Sequence, residues 1–288
     1  MRDSTRREFL GGTAAGIVTA SQALRGAQTA VSGLNFPLED YHVHLNNMSI
    51  ELVVATSKER GVKYGVMEHC GTKENDYPIV LSNDKDILGW IDKLKDKGVY
   101  VGAQAEWIDW MPCFSKDVFA RLDYVATDSW TVRDANGKRV KAFGRDYDPG
   151  NDPEAFMTWY VDWIVEILEK TPLDIWAHPM WVTRKFQPQL EQMWTEERIG
   201  RVVRTCKNTN TAVEIDSSVK LPTIPFIKMA REEGVKFSFG ASSQGRQVNP
   251  IDWSIATAKE AGLTAKDMFH PAAYGRKPIQ IRKLRSLG

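Results

Sequence analysis

Four of the five histidines stand where short β-prone runs end: His42 and His44 in Asp40-Tyr41-His42-Val43-His44, His69 in Met67-Glu68-His69-Cys70, and His178 in Ile175-Trp176-Ala177-His178-Pro179. Imidazole nitrogens suit zinc, manganese or iron, and a carboxylate is their usual companion. Carboxylates end runs in the same way: Glu68, Glu106 after Ala105, Asp128, and Glu214 with Asp216 in Val213-Glu214-Ile215-Asp216. Side chains alternate along an extended chain, so His42 and His44 leave it on one side and can grip one ion together. An ion with an open position acidifies its bound water toward neutrality and polarises a bound substrate. The expected chemistry is metal-assisted hydrolysis of a small molecule, with Glu106, Asp128 and Glu214 as catalytic carboxylates. Any one of these residues alone would read as a core histidine or a helix cap; recurrence on run after run carries the argument. His270, before Pro271, lacks that context and reads as a surface or packing residue.

Such residues act together only if the runs are parallel. Strands are expected at 38–43, 64–68, 99–105, 124–127, 174–177, 212–215 and 236–240, alternating with helices at 50–60, 84–97, 196–207, 225–233 and 253–261. A further helix follows Asp152, which can cap it, with Pro153 in its first turn and an apolar stripe through Phe156, Tyr160, Trp163, Ile164 and Ile167. Gly61, Gly98, Gly234 and Gly262 follow helical segments as stop signals. Alternating strands and helices imply a parallel sheet with crossover helices, and seven or eight units in about 250 residues imply one closed β/α barrel. A doubly wound open sheet is the alternative. In a barrel every strand's carboxyl end opens on one face, where the loops build the site.

Near those ends stand candidate substrate contacts: the cations Arg184, Lys185 and Arg246, and the indoles Trp107 and Trp181, with Trp110, Trp130 and Trp176 close in sequence. Guanidinium and ammonium groups would clamp a phosphate, while aromatic walls would suit a sugar or another flat ligand. The 38 basic and 37 acidic residues leave a net charge of +1, which supplies no field for nucleic acid or an anionic membrane. Cys70, Cys113 and Cys206 are odd in number and unpatterned, so they form neither a disulfide framework nor a CxxC zinc site and read as small apolar residues. Gly240-Ala241-Ser242-Ser243-Gln244 departs from the GxSxG pattern at its last position, and no P-loop or GxGxxG occurs.

Taken together these motifs resemble the polymerase and histidinol phosphatase (PHP) superfamily, metal-dependent phosphoesterases on a distorted (β/α)7 TIM-like barrel. The resemblance runs from about Leu38 to Leu263. Asp40-Tyr41-His42-Val43-His44 is similar to the family's opening His-x-His. The stretch ending Glu68-His69 resembles its second motif, with Glu in place of the usual Asp, and Ala105-Glu106 resembles the segment bringing a bridging glutamate. Ala177-His178-Pro179 matches a later His-Pro. The resemblance implies His42, His44, His69, Glu106 and His178 as metal ligands for one or two divalent ions. Where the family carries a final Asp-x-His, this chain has Ser242 and Gln244, and where it carries a histidine after the fourth strand, this chain offers Asp128 or Trp130. The departures leave two further readings: a hydrolase or lyase acting on a non-phosphate, carbohydrate-derived compound, and a non-catalytic ligand-binding barrel.

The amino terminus carries an address. Ser4-Thr5-Arg6-Arg7-Glu8-Phe9-Leu10 and the weakly apolar stretch after it resemble a twin-arginine signal. That stretch is too short for a stable membrane span. The resemblance implies residues 1–30 as a signal segment, with cleavage after Ala23, Ala27 or Ala30, and residues 31–288 as one barrel domain. It implies the twin-arginine translocation machinery as a partner and a periplasmic or secreted destination.

Overall fold

The computed structural model describes residues 33–134, 137–144 and 147–283; the arginine pair and the candidate cleavage sites lie outside them. In chain order come β1 (Glu39–Val43), α1 (Ile50–Arg60), β2 (Lys63–Cys70), β3 (Val80–Leu81), α2 (Asp84–Leu94), β4 (Tyr100–Ala105) and α3 (Lys116–Phe119). Next are β5 (Tyr124–Thr127), β6 (Thr131–Arg133), β7 (Arg139–Lys141), α4 (Pro153–Lys170), β8 (Ile175–Trp176), α5 (Leu190–Met193) and α6 (Glu196–Thr209). The chain continues through β9 (Ala212–Asp216), α7 (Ile224–Glu232), β10 (Phe237–Gly240), α8 (Asp252–Glu260) and α9 (Pro278–Ile281).

Seven strands close a parallel barrel in the order β1, β2, β4, β5, β8, β9, β10, with β10 returning to β1. All seven expected strands form, and closure between β1 and β2 rules out the doubly wound sheet. The ring is distorted: β8 has two residues, and the register of β1 on β2 shifts between Asp40 and Val43. Outside the ring, β3 pairs with the end of β2, and β6 and β7 form an antiparallel hairpin.

The helices obey their local signals. Ser49 accepts from the Leu52 amide at the start of α1, and Asp152 accepts from the Glu154 and Ala155 amides at the start of α4, satisfying donors that a first turn leaves free. Gly61 takes up the left-handed conformation that ends α1. The helix expected at 84–97 stops at Leu94 because Lys95 turns extended, with ψ 146°.

Two apolar layers result. A large cluster lies between strands and helices, with Val66, Ala103, Val125, Trp176, Val213, Ile215, Phe237 and Phe239 facing Ile87, Trp90, Ile164, Ile167, Val202 and Phe226. A small one, Tyr41, Met67, Tyr124, Ala126, Ile175 and Ala212, comes from barrel strands alone and fills the interior. Tyr124 spans that interior to donate to the Tyr41 carbonyl at 2.7 Å. Gly102 leaves room for its ring: a Cβ there would stand 2.3 Å from the Tyr124 side chain.

Candidate metal centre

Strand alternation sorts the polar residues. In β9 Ala212 belongs to the interior, whereas Val213 and Ile215 pack outward, so Glu214 and Asp216 point into the barrel above Ala212. The same parity carries Met67 to His69 in β2, Gly102 through Gln104 to Glu106 at β4, and Ala126 to Asp128 at β5. In β1 both Tyr41 and His42 face inward, which is possible only where alternation breaks; the register shift lies there. His178 follows β8 with φ +49°, a left-handed turn that swings its ring back over the barrel mouth.

The four imidazoles form a row. Ring centroids lie 4.8 Å apart from His178 to His42, 5.3 Å from His42 to His44 and 4.7 Å from His44 to His69, and no ring residue is more than 3% exposed. Three of them have a glutamate at Nδ1: Glu214 is 2.7 Å from His42, Glu68 3.4 Å from His44 and Glu106 2.8 Å from His69. An ionised carboxylate only accepts, so these contacts place the ring proton on Nδ1 and the lone pair on Nε2. Nε2 of His44 and Nε2 of His69 are buried with no hydrogen-bond partner. Burial lowers the pKa of both rings to about 3, so both are neutral at pH 7. Neutral, oriented nitrogens with free lone pairs are the donors that divalent zinc, manganese or iron takes, and the residues fit such an ion.

Among the described residues, His42, His178, Glu214 and Asp216 form a set in which each offers one donor atom, and these atoms lie within 4.8 Å of one another. Glu214 joins its parts: Oε1 faces His42, and Oε2 accepts from the His178 amide at 2.8 Å. A Cβ on Gly240 would stand 1.9 Å from Glu214 Oε1, so only glycine fits beneath that carboxylate. His178 Nε2 lies 3.1 Å from Asp216 Oδ2. Burial opposes charge on both, but each outweighs that effect for the other, holding the His178 pKa up and the Asp216 pKa down. Ser242, at φ +44°, places Oγ 2.5 Å from His178 Nε2 and 3.3 Å from Asp216 Oδ2.

Glu106 lies outside this set and takes four donors. His69 Nδ1 and Gln104 Nε2 reach Oε1, while Thr131 Oγ1 at 2.9 Å and Tyr77 Oη at 3.3 Å reach Oε2. Gln104 also donates to Asp128, whose Oδ2 is 3.9 Å from His178 Nδ1. Burial, then the charge of Glu106, raises the Asp128 pKa to about 6. Two rings roof the row: Tyr77 stacks on His69 with centroids 3.4 Å apart, and Trp130 stacks on His178 at 4.1 Å.

The candidate substrate contacts are scattered. Trp181 is buried against Trp130, and Trp107 lies under the guanidinium of Arg139 at 4.4 Å. Trp110 and Trp176 are core residues. Arg184 and Arg246 are exposed; Lys185 is bound to Asn151 and faces Asp148, and with Arg184 it lines a cavity of about 350 Å³ that none of the four histidines lines. Cys70 and Cys206 are buried as expected, whereas Cys113 is partly exposed; His270 is exposed, 3.4 Å from Glu39. Sequence reasoning missed Tyr77, Gln104 and Thr131. Gln104 alone had a signal, lying two residues before Glu106 on the same side of β4.

No family model and no curated protein matches the chain. Among solved structures, a histidinol phosphate phosphatase from Lactococcus lactis subsp. lactis Il1403, complexed with zinc, L-histidinol and phosphate, aligns with a TM-score of 0.56 at 15% identity, covering 86% of this chain and 99% of that one. An HpcH/HpaI aldolase from Desulfitobacterium hafniense DCB-2 aligns at a TM-score of 0.35 and 14% identity over 75% of this chain and 89% of its own. The first likeness is one of fold: this chain shares the closed seven-stranded parallel architecture of a PHP-type barrel.

Proposed function

We propose that this chain is a metal-dependent hydrolase of small molecules, with phosphoesters as its first substrate class. The observation that carries the reading is the row of buried imidazoles, three with Nδ1 fixed by glutamate and two with Nε2 left without a partner. His42, His178 and Asp216 would hold one ion, with Glu214 orienting the first two, and His44 with His69 offer donors for a second. Once bound, such an ion supplies an acidified water and polarises the scissile group. The chain's own part is orientation. Glu68, Glu106 and Glu214 fix the rings, Gln104 ties Glu106 to Asp128, and the Tyr77 and Trp130 rings keep bulk water away. The fold shared with a phosphatase crystallised with zinc and phosphate supports the substrate class.

A carbohydrate-derived, non-phosphate substrate is the second reading, favoured by the Trp130–Trp181 pair beside His178 and by the exposed positions of Arg184 and Arg246. Export by the twin-arginine pathway belongs to the same proposal, resting on Arg6 and Arg7; replacing both with lysine should retain the protein in the cytoplasm. The functional test is hydrolysis by zinc- or manganese-loaded protein across a panel of phosphomonoesters, phosphodiesters and sugar lactones. Turnover of a phosphoester that chelation and His69→Ala each abolish is the expected result. Turnover untouched by both would contradict the proposal, and lactone turnover alone would select the second reading.

A further inference from the structure

Lys141 was not among the cations expected at the site, yet its charge reaches the centre. Its Nζ stands 3.7 Å over the Tyr77 ring and donates to the Asp76 carbonyl, so it lies directly behind the ring that covers His69. Its positive charge acts on both His69 and Glu106. Next to it in the hairpin, Arg139 donates to Thr72 and Asn75 and pairs with Asp109, clipping β7 to the segment that carries Tyr77. Lys141, Arg139 and Asp76 also form part of the wall of a cavity of about 1010 Å³. The four histidines are not in that wall. Lys141 thus touches both that chamber and the ring that covers His69.

We propose that Lys141 is the anion-binding residue of the site and that Lys141 and Tyr77 together gate it, an anionic substrate drawing Lys141 from the ring and freeing Tyr77 to move off His69. The anion role rests on the hydrolase reading above; the gate does not. A cation over an aromatic face is held by the ring's quadrupole, an attraction that a phosphate or carboxylate of full charge outcompetes. Release of Lys141 leaves Tyr77 with its stack on His69 and the contacts of its hydroxyl with Glu106 and Thr131. An anion in the chamber would meet Lys141 before any histidine, and a neutral molecule would find the gate shut.

Two measurements on the full protein test this. Diethyl pyrocarbonate modifies accessible imidazole nitrogens, and peptide mass spectrometry reads each histidine separately. In wild type His69 should label slowly; in Tyr77→Ala and in Lys141→Met it should label at least tenfold faster, while His42 stays protected as the internal check on folding. Lys141→Met keeps the Tyr77 side chain and removes only the cation behind it, so it keeps the test valid if Tyr77→Ala disturbs the fold. Binding of inorganic phosphate to zinc-loaded protein, followed by calorimetry, should weaken at least tenfold in Lys141→Met and little in Tyr77→Ala. Equal His69 labelling in all three proteins overturns the gate, and phosphate affinity unchanged in Lys141→Met, or absent from wild type, overturns the anion role. Failure of the metal reading would show separately, as zinc that never binds, because the labelling needs no metal.

Discussion

Each oxygen of Glu214 has its own partner: Oε1 faces His42 Nδ1 at 2.7 Å, and Oε2 accepts from the His178 amide at 2.8 Å. The carboxylate therefore fixes a ring on one strand and the backbone turn after another. Glu214→Gln keeps the shape but replaces one acceptor with a donor, so either His42 or the His178 amide loses its acceptor and the site loses its orientation. We expect zinc affinity to fall roughly 10- to 100-fold, the usual cost of removing a group that orients a ligand, with a near-native circular dichroism spectrum; an unchanged affinity in competition titration would show that Glu214 orients nothing. At this scale the histidines were legible because each ends an apolar run, and Glu68, Glu106 and Glu214 because they end runs as well. Tyr77 and Lys141 were not. Tyr77 lies in the loop between β2 and β3, and Lys141 ends a three-residue strand, so neither position announces which buried group it will meet.

Among the elements, α4 is the longest helix described, and its start depends on Asp152, whose Oδ1 accepts from Glu154 at 2.9 Å and Ala155 at 3.1 Å. Asp152→Ala should lower unfolding free energy by about 1 kcal/mol, seen as an earlier urea midpoint with an unchanged slope; no shift would mean that water serves those amides equally well. The seven ring strands were readable because burial on both faces makes each a short apolar run between turn signals. The hairpin of β6 and β7 was not. Its strands, Thr131–Arg133 and Arg139–Lys141, hold one apolar residue each, Val132 and Val140, between polar neighbours. They pair with each other and cover the barrel mouth instead of joining its wall, so no periodic apolar signal marks them. The break in β1 that lets Tyr41 and His42 share the interior was also invisible, since it arises from the register against β2.

For the molecule as a whole, closure of the ring buries carboxylates away from the metal centre too. Asp174, just before β8, accepts from the Val125 amide at 2.8 Å, and burial raises its pKa from 3.8 to about 7 against the opposing pull of that bond and of Lys277. Between those two values the folded protein holds a proton that the unfolded chain has released. Stability from this group is fully present below pH 3.8 and is lost as pH rises toward about 7. Asp174→Asn should flatten the stability profile across that window, by on the order of 1 kcal/mol per pH unit; parallel wild-type and variant profiles in urea titrations would remove Asp174 as the cause. The central claim concerns the other end of the barrel and is tested most directly by elemental mass spectrometry of purified protein, wild type beside a His42→Ala, His44→Ala variant. We expect one or two ions per wild-type chain and their loss from the variant. Less than stoichiometric metal in both, after incubation with zinc, manganese and iron, would contradict the metal centre.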